Sequence, residues 1–196
     1  MFEGCTSLTT APTLSATTLG EYCYNSMFEG CENLITIPNI LPATTLKERC
    51  YMQMFKDCVS ITIAPELSAT TTENRCCYEM FDNCTSLTTA PSILSATTLA
   101  SYCYFRMFNN CTSLTIAPIL PAKTLAEGCY CNIFQNCTSL TNITCLATNI
   151  SAEYCTSYWV NNIANNGTLI KDPNMNNWTT GVSGIPEGWT VQNYSS

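Results

Sequence analysis

The sequence predicts an α/β solenoid, a right-handed stack of units, each a strand plus a short helix, closed by a C-terminal β cap. Three observations lead there. One motif returns along most of the chain, as MFEGCTSL at Met1, MFEGCENL at Met27, MFKDCVSI at Met54, MFDNCTSL at Met80, MFNNCTSL at Met107 and IFQNCTSL at Ile133, in steps of 26 or 27 residues. Apolar side chains keep the same place in every copy. A unit this short cannot bury its own apolar face, so it becomes stable only when copies stack and their columns merge into one core. With 196 residues, 46% of them apolar, the chain can form such a core without help from metal or oligomerisation.

The columns define the elements in order. Cys5, Cys31, Cys58, Cys84, Cys111 and Cys137 open the units. Behind them run Leu8, Leu34, Ile61, Leu87, Leu114 and Leu140, then Ala11, Ile37, Ala64, Ala90, Ala117 and Ile143, then Leu14, Ile40, Leu67, Ile93, Leu120 and Leu146. Pro12, Pro38, Pro65, Pro91 and Pro118 follow the middle column. Proline has no N–H for a strand ladder, so each extended segment is expected to end there and the chain to turn. The second half of a unit opens with Ala-Thr-Thr-Leu, as at 16–19, with near copies from Ala43, Ala69, Ala96 and Ala122. It closes on a second cysteine column, Cys23, Cys50, Cys76, Cys103 and Cys129, which Cys155 carries into a degenerate seventh unit. From Leu19 through Cys23, Met27 and Cys31 an apolar residue returns at every fourth position, the spacing of one buried helical face, so a short helix or helical turns are predicted. The extra residue of the longer units falls in PNILPATTL (38–46) and PSILSATTL (91–99), at a turn where it leaves the columns in register. At a strand spacing of ~4.8 Å, six coils make a body about 30 Å long.

The solenoid is assigned to 1–157, six units plus the degenerate seventh beginning near 155, and the cap to 158–196. After Tyr158 cysteine disappears, an Asn166-Gly167 turn appears, and 168–171 and 189–192 read as short strands. Trp159, Trp178 and Trp189 are expected to cover the last coil, with an aromatic sugar platform as the alternative use. No comparable cap precedes Met1, so a fragment, or a domain preceded by more repeats, is expected. The start lacks the basic and apolar stretches of a secretory signal. Either the signal was removed, or the chain is a piece of a longer one, or export takes another route.

Composition removes several functions. Charged residues make up 11%, with 14 acids against 7 bases and a net charge of −7, which disfavours nucleic acid because phosphate binding needs clustered Lys and Arg. The absence of histidine removes the commonest general base, the Ser-His and Cys-His pairs and the usual zinc and haem ligands. No apolar run is long enough to insert in a membrane as a helix. Stacked acids such as Glu3 and Glu29 would form a charge ladder rather than one acid and one base in unlike environments. No catalytic, cofactor-binding or metal-ligating residues are assigned, and the ligand-binding residues remain unassigned.

Twelve of the fifteen cysteines lie in the two columns, where cysteine serves as a small buried hydrophobe, so free thiols are expected and scattered disulfides are the alternative. Cys77, beside Cys76, together with Cys131 and Cys145, lies off the columns; these are the candidates for a reactive thiol or odd bridge. Cys129 and Cys131 are one residue too close for a usual zinc pair. Threonine rows (Thr9, Thr62, Thr88, Thr115, Thr141; Thr17, Thr44, Thr70, Thr97) read as solvated strand surface. Ice ordering by such rows is disfavoured by the interruptions at Ile35, Ile63, Ile116 and Lys123. The sequons at Asn83, Asn110 and Asn136 are read as chance. Charges gather on the expected helical face, at Glu21, Lys47, Glu48, Arg49, Lys56, Asp57, Glu73, Arg75, Asp82, Arg106 and Glu127, and vary between copies. That face is a candidate recognition surface, and the strand side is an equal contender.

The pattern CxxLxxAPxL, carried by Cys5, Leu8, Ala11 and Pro12 and followed by Met27, Phe28 and Cys31, resembles the BspA-like leucine-rich repeats of bacterial surface proteins. The resemblance covers Met1 to about Leu146. Units here are longer than that family's, and Met-Phe stands where the family has Ala-Phe. The longer Cys-Tyr-x-x-Met-Phe form and the terminal Gly-Trp-Thr-Val look like a variant of gut-bacterial surface proteins and of their phages. The resemblance implies a leucine-rich-repeat-like fold, exposure on a cell surface or outside the cell, and adhesion-type binding of a protein or glycan on a host or neighbouring cell. It carries no catalytic residues and no cofactor. A structural part of a phage tail or surface fibre, docked to other subunits, is the alternative.

Overall fold

The computed structural model describes residues 1–195 and is a β-solenoid of about six turns. Equivalent residues of successive coils lie side by side in parallel, as at Thr10 and Thr36, Ile63 and Thr89, and Ile116 and Asn142. The stacking expected from the repeat is therefore present. The short helix is not: no helix occurs among the described residues.

In place of the helix each unit has a flat ribbon of overlapping β-turns. In the ribbon ending at Cys58, alternate amides bond across to the next coil, Tyr51 to Cys76, Gln53 to Tyr78, Phe55 to Met80 and Asp57 to Asp82, at 2.8–2.9 Å. The amides between them close turns within the ribbon, Met52 onto Arg49, Met54 onto Tyr51 and Lys56 onto Gln53. Every fourth residue is left-handed, with φ of 51° at Arg49, 55° at Gln53 and 60° at Asp57. This geometry buries every fourth side chain just as a helix would, which is why the spacing misleads. The physical reason for the ribbon lies in the neighbouring coils. Phe2, Phe28, Phe55, Phe81, Phe108 and Phe134, all but the half-buried Phe2 fully buried, form one stack with ring centroids 5.4–6.0 Å apart. A helix with side chains is about 10 Å across and cannot repeat at that separation. A flat ribbon fits, and it hands half of its amides to the next coil.

The first cysteine column lies against the phenylalanine stack. Five of its six thiols donate to a phenylalanine carbonyl one coil back: Cys31 to Phe2 at 3.0 Å, Cys58 to Phe28 at 3.0 Å, Cys84 to Phe55 at 3.1 Å, Cys111 to Phe81 at 3.2 Å and Cys137 to Phe108 at 3.0 Å. A small apolar side chain with a weak donor meets both demands of the position. All fifteen cysteines are thiols.

Strands occupy the proline side and are short. β1 (Ile40–Leu41) pairs with β3 (Glu66–Leu67), and β2 (Thr45–Leu46) with β4 (Thr71–Thr72). The register corrects one column. Leu41, not Ile40, stands beside Leu67, and Ile93 stands beside Ile119 rather than Leu120. The extra residue of the longer units is thus taken up before these isoleucines, leaving Ile40 51% exposed and Leu41 1%.

The C-terminal segment continues the stack. β5 (Asn142–Cys145), in the last full unit, pairs in parallel with β6 (Thr168–Lys171), and β6 with β7 (Thr190–Asn193). The two strands expected in the cap are both present, as further rungs of the same ladder. Gly167 is required by close approach: an added Cβ would lie 2.5 Å from the Thr141 carbonyl oxygen and 2.8 Å from the Trp189 ring.

Candidate functional site

Hollows line up along the Ala-Pro column. The first section, of about 620 Å³, lies between 11–15 and 36–42. The second, about 300 Å³, shares Thr36, Ile37, Pro38 and Asn39 with the first, and the third, about 270 Å³, shares Thr89 and Ala90 with the second. The three sections therefore adjoin one another in a row that crosses five coils. Ala11, Ile37, Ala64, Ala90 and Ala117 floor it, because the residue before each proline faces the corner where the chain turns. Exposed Thr36, Thr62, Ile63, Thr89 and Ile116 form one wall, and Thr13, Asn39, Glu66 and Ser92 the other. Glu66 is the one charged residue among those lining it, and its carboxylate accepts from the Ser92 amide and hydroxyl, both at 2.9 Å.

The turn ribbons carry the charges read as a candidate recognition surface, and there they pair between coils. Lys56 lies 3.5 Å from both Glu29 and Glu79, Arg106 3.4 Å from Glu79 and 3.8 Å from Asp82, and Lys47 2.7 Å from Glu73. The Lys47 hydrogen bond holds the Glu73 carboxyl below its ordinary range, and burial pushes Asp82 up despite the amide of Asn109 at 2.7 Å. Arg49 bonds to the Tyr22 hydroxyl and lies over its ring, and Arg75 lies over Tyr102. Asp57 accepts from Asn83, and Glu127 from Tyr102. Glu21 is left exposed and Glu48 lies 3.7 Å from Arg49.

Cys77, Cys131 and Cys145, expected as reactive candidates, are buried, and desolvation pushes each thiol up, Cys145 to about 12. Cys77 takes a tyrosine position, beside Tyr51 and Tyr104 in the neighbouring coils, and Cys145 stands opposite Leu120. Cys23 is the exposed thiol instead. The tryptophans form no open platform. Trp159, Trp178 and Trp189 are 0%, 8% and 7% exposed, and Trp159 and Trp189 donate their indole N–H to the carbonyls of Gly184 and Ala164. Asn110, Asn136 and Asn162 form a side-chain ladder, Asn136 donating to Asn110 at 2.8 Å and Asn162 to Asn136 at 2.9 Å, while Asn83 donates to Asp57 at 2.8 Å. The sequon asparagines are therefore structural, at left-handed positions before the cysteines.

No protein-family model, curated protein or solved structure matches the chain. Among the described residues no helix is long and apolar enough to cross a membrane, and no group of three or more Cys, Asp or Glu could hold a metal ion.

Proposed function

We propose that this chain is a non-enzymatic, extracellular or surface-exposed binding module of adhesion type. It recognises a protein or glycan through many weak contacts spread over several coils. One observation carries this reading: a row of adjoining hollows crosses five coils on the side with few charges, while the charged side is engaged in pairs between coils. The resemblance of the repeat to BspA-like surface repeats supports the same reading. The test is binding of the protein to a glycan array and to intact host cells. Retention on either supports the reading, and absence of any retained ligand removes it.

A structural role in a phage tail or surface fibre is the second reading. The exposed edge strand β7 favours it, since an unpaired strand edge is a template for another chain. Substitutions at Thr190 to Asn193 that abolish a defined assembly, with binding unaffected, would favour this role.

A further inference from the structure

Apart from the binding role above, and not depending on it, we propose that Arg75 on the turn ribbons is a binding site for a carboxylate monoanion, with Arg49 one coil before it adding to the field. Of the seven bases, Lys47, Arg49, Lys56, Arg106 and Lys123 pair with acids, and Lys171 donates to the carbonyls of Asp172 and Met175. Arg75 does neither. Its Nε–H is shut away from solvent with no acceptor, and among the described residues no group accepts from its two Nη groups. A guanidinium carries five donors in a fork that matches a carboxylate, so this one is held on the surface with its chemistry unspent.

The sequence shows why Arg75 stands alone. It belongs to the column Tyr22, Arg49, Arg75, Tyr102, Gly128 and Tyr154, and the column beside it reads Glu21, Glu48, Asn74, Ser101, Glu127 and Glu153. In the other coils the two columns meet: Arg49 lies 3.7 Å from Glu48, the Tyr102 hydroxyl donates to Glu127 at 2.9 Å, and Tyr154 bonds to Glu153. Arg75 has Asn74 before it and Ser101 in the next coil, whose carbonyl accepts the Arg75 amide at 3.2 Å. The acid column is thus neutral at the two coils that flank this guanidinium. Nearby acids are engaged elsewhere, Glu73 by Lys47 and the Glu48 amide, and Glu79 by Lys56 and Arg106. A carboxylate supplied by a ligand would make the contact that the chain makes for itself in other coils.

The site is also held in advance. The Arg75 guanidinium lies 5.7 Å from the centre of the Tyr102 ring, a favourable cation–π contact. Tyr102 is fixed by Glu127 at its hydroxyl and by Gly128 under its ring, where an added Cβ would come within 2.4 Å. Arg49 turns the other way, onto Tyr22. Coils about 4.8 Å apart set these two like charges side by side, which is unfavourable, and an anion relieves it. Arg49 and Arg75 against Glu48 leave one positive charge, the match of a single negative one. A polyanion would meet a chain of net charge −7.

The test follows the Arg75 Nε–H signal in ¹H–¹⁵N spectra of the full chain, identified by its loss in Arg75→Lys, during titration with acetate and with inorganic phosphate at constant ionic strength. Acetate should shift it saturably. Asn74→Glu restores an internal acid of the kind other coils carry, and should displace the signal before any titration and weaken acetate about fivefold, the worth of an exposed pair. Lys171→Ala should leave acetate binding unchanged. A shift that rises without saturation, or that saturates alike in the parent and Asn74→Glu, overturns the site. Phosphate bound more than about tenfold tighter than acetate overturns the carboxylate assignment. Glucuronate and N-acetylglutamate amide present the group on a sugar and on an amino acid; saturation by either supports the site, and the tighter names the source. Saturation by acetate without retention on cells or arrays removes the binding role and leaves this site, and retention without saturation does the reverse.

Discussion

Tyr158 has φ of 51° with its side chain 54% exposed, and it is one of sixteen non-glycine residues among those described that adopt the left-handed conformation. That region costs an L-residue roughly 1–2 kcal/mol and glycine almost nothing. Replacing Tyr158 by glycine should therefore raise stability by up to about 1 kcal/mol, and by valine lower it by about the same, a ranking that urea unfolding can read. The signal for these positions was present in the residue types. Gly4, Gly30, Asp57, Asn83, Asn110 and Asn136 precede the first cysteine column, and glycine, asparagine and aspartate are the residues that tolerate positive φ. The partners at Arg49, Gln53, Arg75 and Arg106 carry no such mark, because neighbouring coils impose their conformation. The buried thiols make the fold sensitive to alkali. Burial raises Cys58 and Cys145 from 9.0 to about 12, so between those values the native state holds protons that the unfolded chain releases. Stability is full below pH 9 and falls as pH rises toward 12, by up to about 1.4 kcal/mol per pH unit for each such thiol. Urea midpoints under reducing conditions should be flat from pH 7 to 8 and drop above 9.

At the scale of one coil, the ribbon and the strands divide the work. The ribbon supplies the ladder of alternate amides and the phenylalanine stack, and the proline side supplies only short strand pairs. Phe81 lies between Phe55 at 5.4 Å and Phe108 at 5.6 Å and is fully buried. Phe81→Ala should cost about 3–5 kcal/mol, and because each coil touches only its neighbours, exchange protection should fall first in the units around it. Hydrogen exchange across the chain checks that locality. The columns of Cys, Leu and Phe were legible because identical surroundings repeat at a fixed period. The helix was misread because period-four burial belongs equally to a helix and to tandem turns. The misplaced Ile40 and Ile93 have a similar cause: one inserted residue can be absorbed on either side of an apolar pair, and only the register with Leu67 and Ile119 decides which side.

At the scale of the whole molecule, a chain of stacked coils needs its last one covered. β6, β7 and the three tryptophans do this, and the phenylalanine stack runs on through Trp159 to Trp178. Gly167→Ala places a methyl 2.5 Å from a backbone oxygen, which cannot give way easily, and should lower the thermal midpoint of the protein with a cost of roughly 1–3 kcal/mol. The sequence alone determined that the units stack, most of the residues that line the core and where the chain turns, since all of these follow from periodicity and from the limits on proline. Tertiary structure alone decided the path of the backbone between the columns, the pairing of the charges and the alignment of the hollows. Each of these depends on the distance between coils, a quantity that no single unit carries and that appears only when neighbours share their hydrogen bonds.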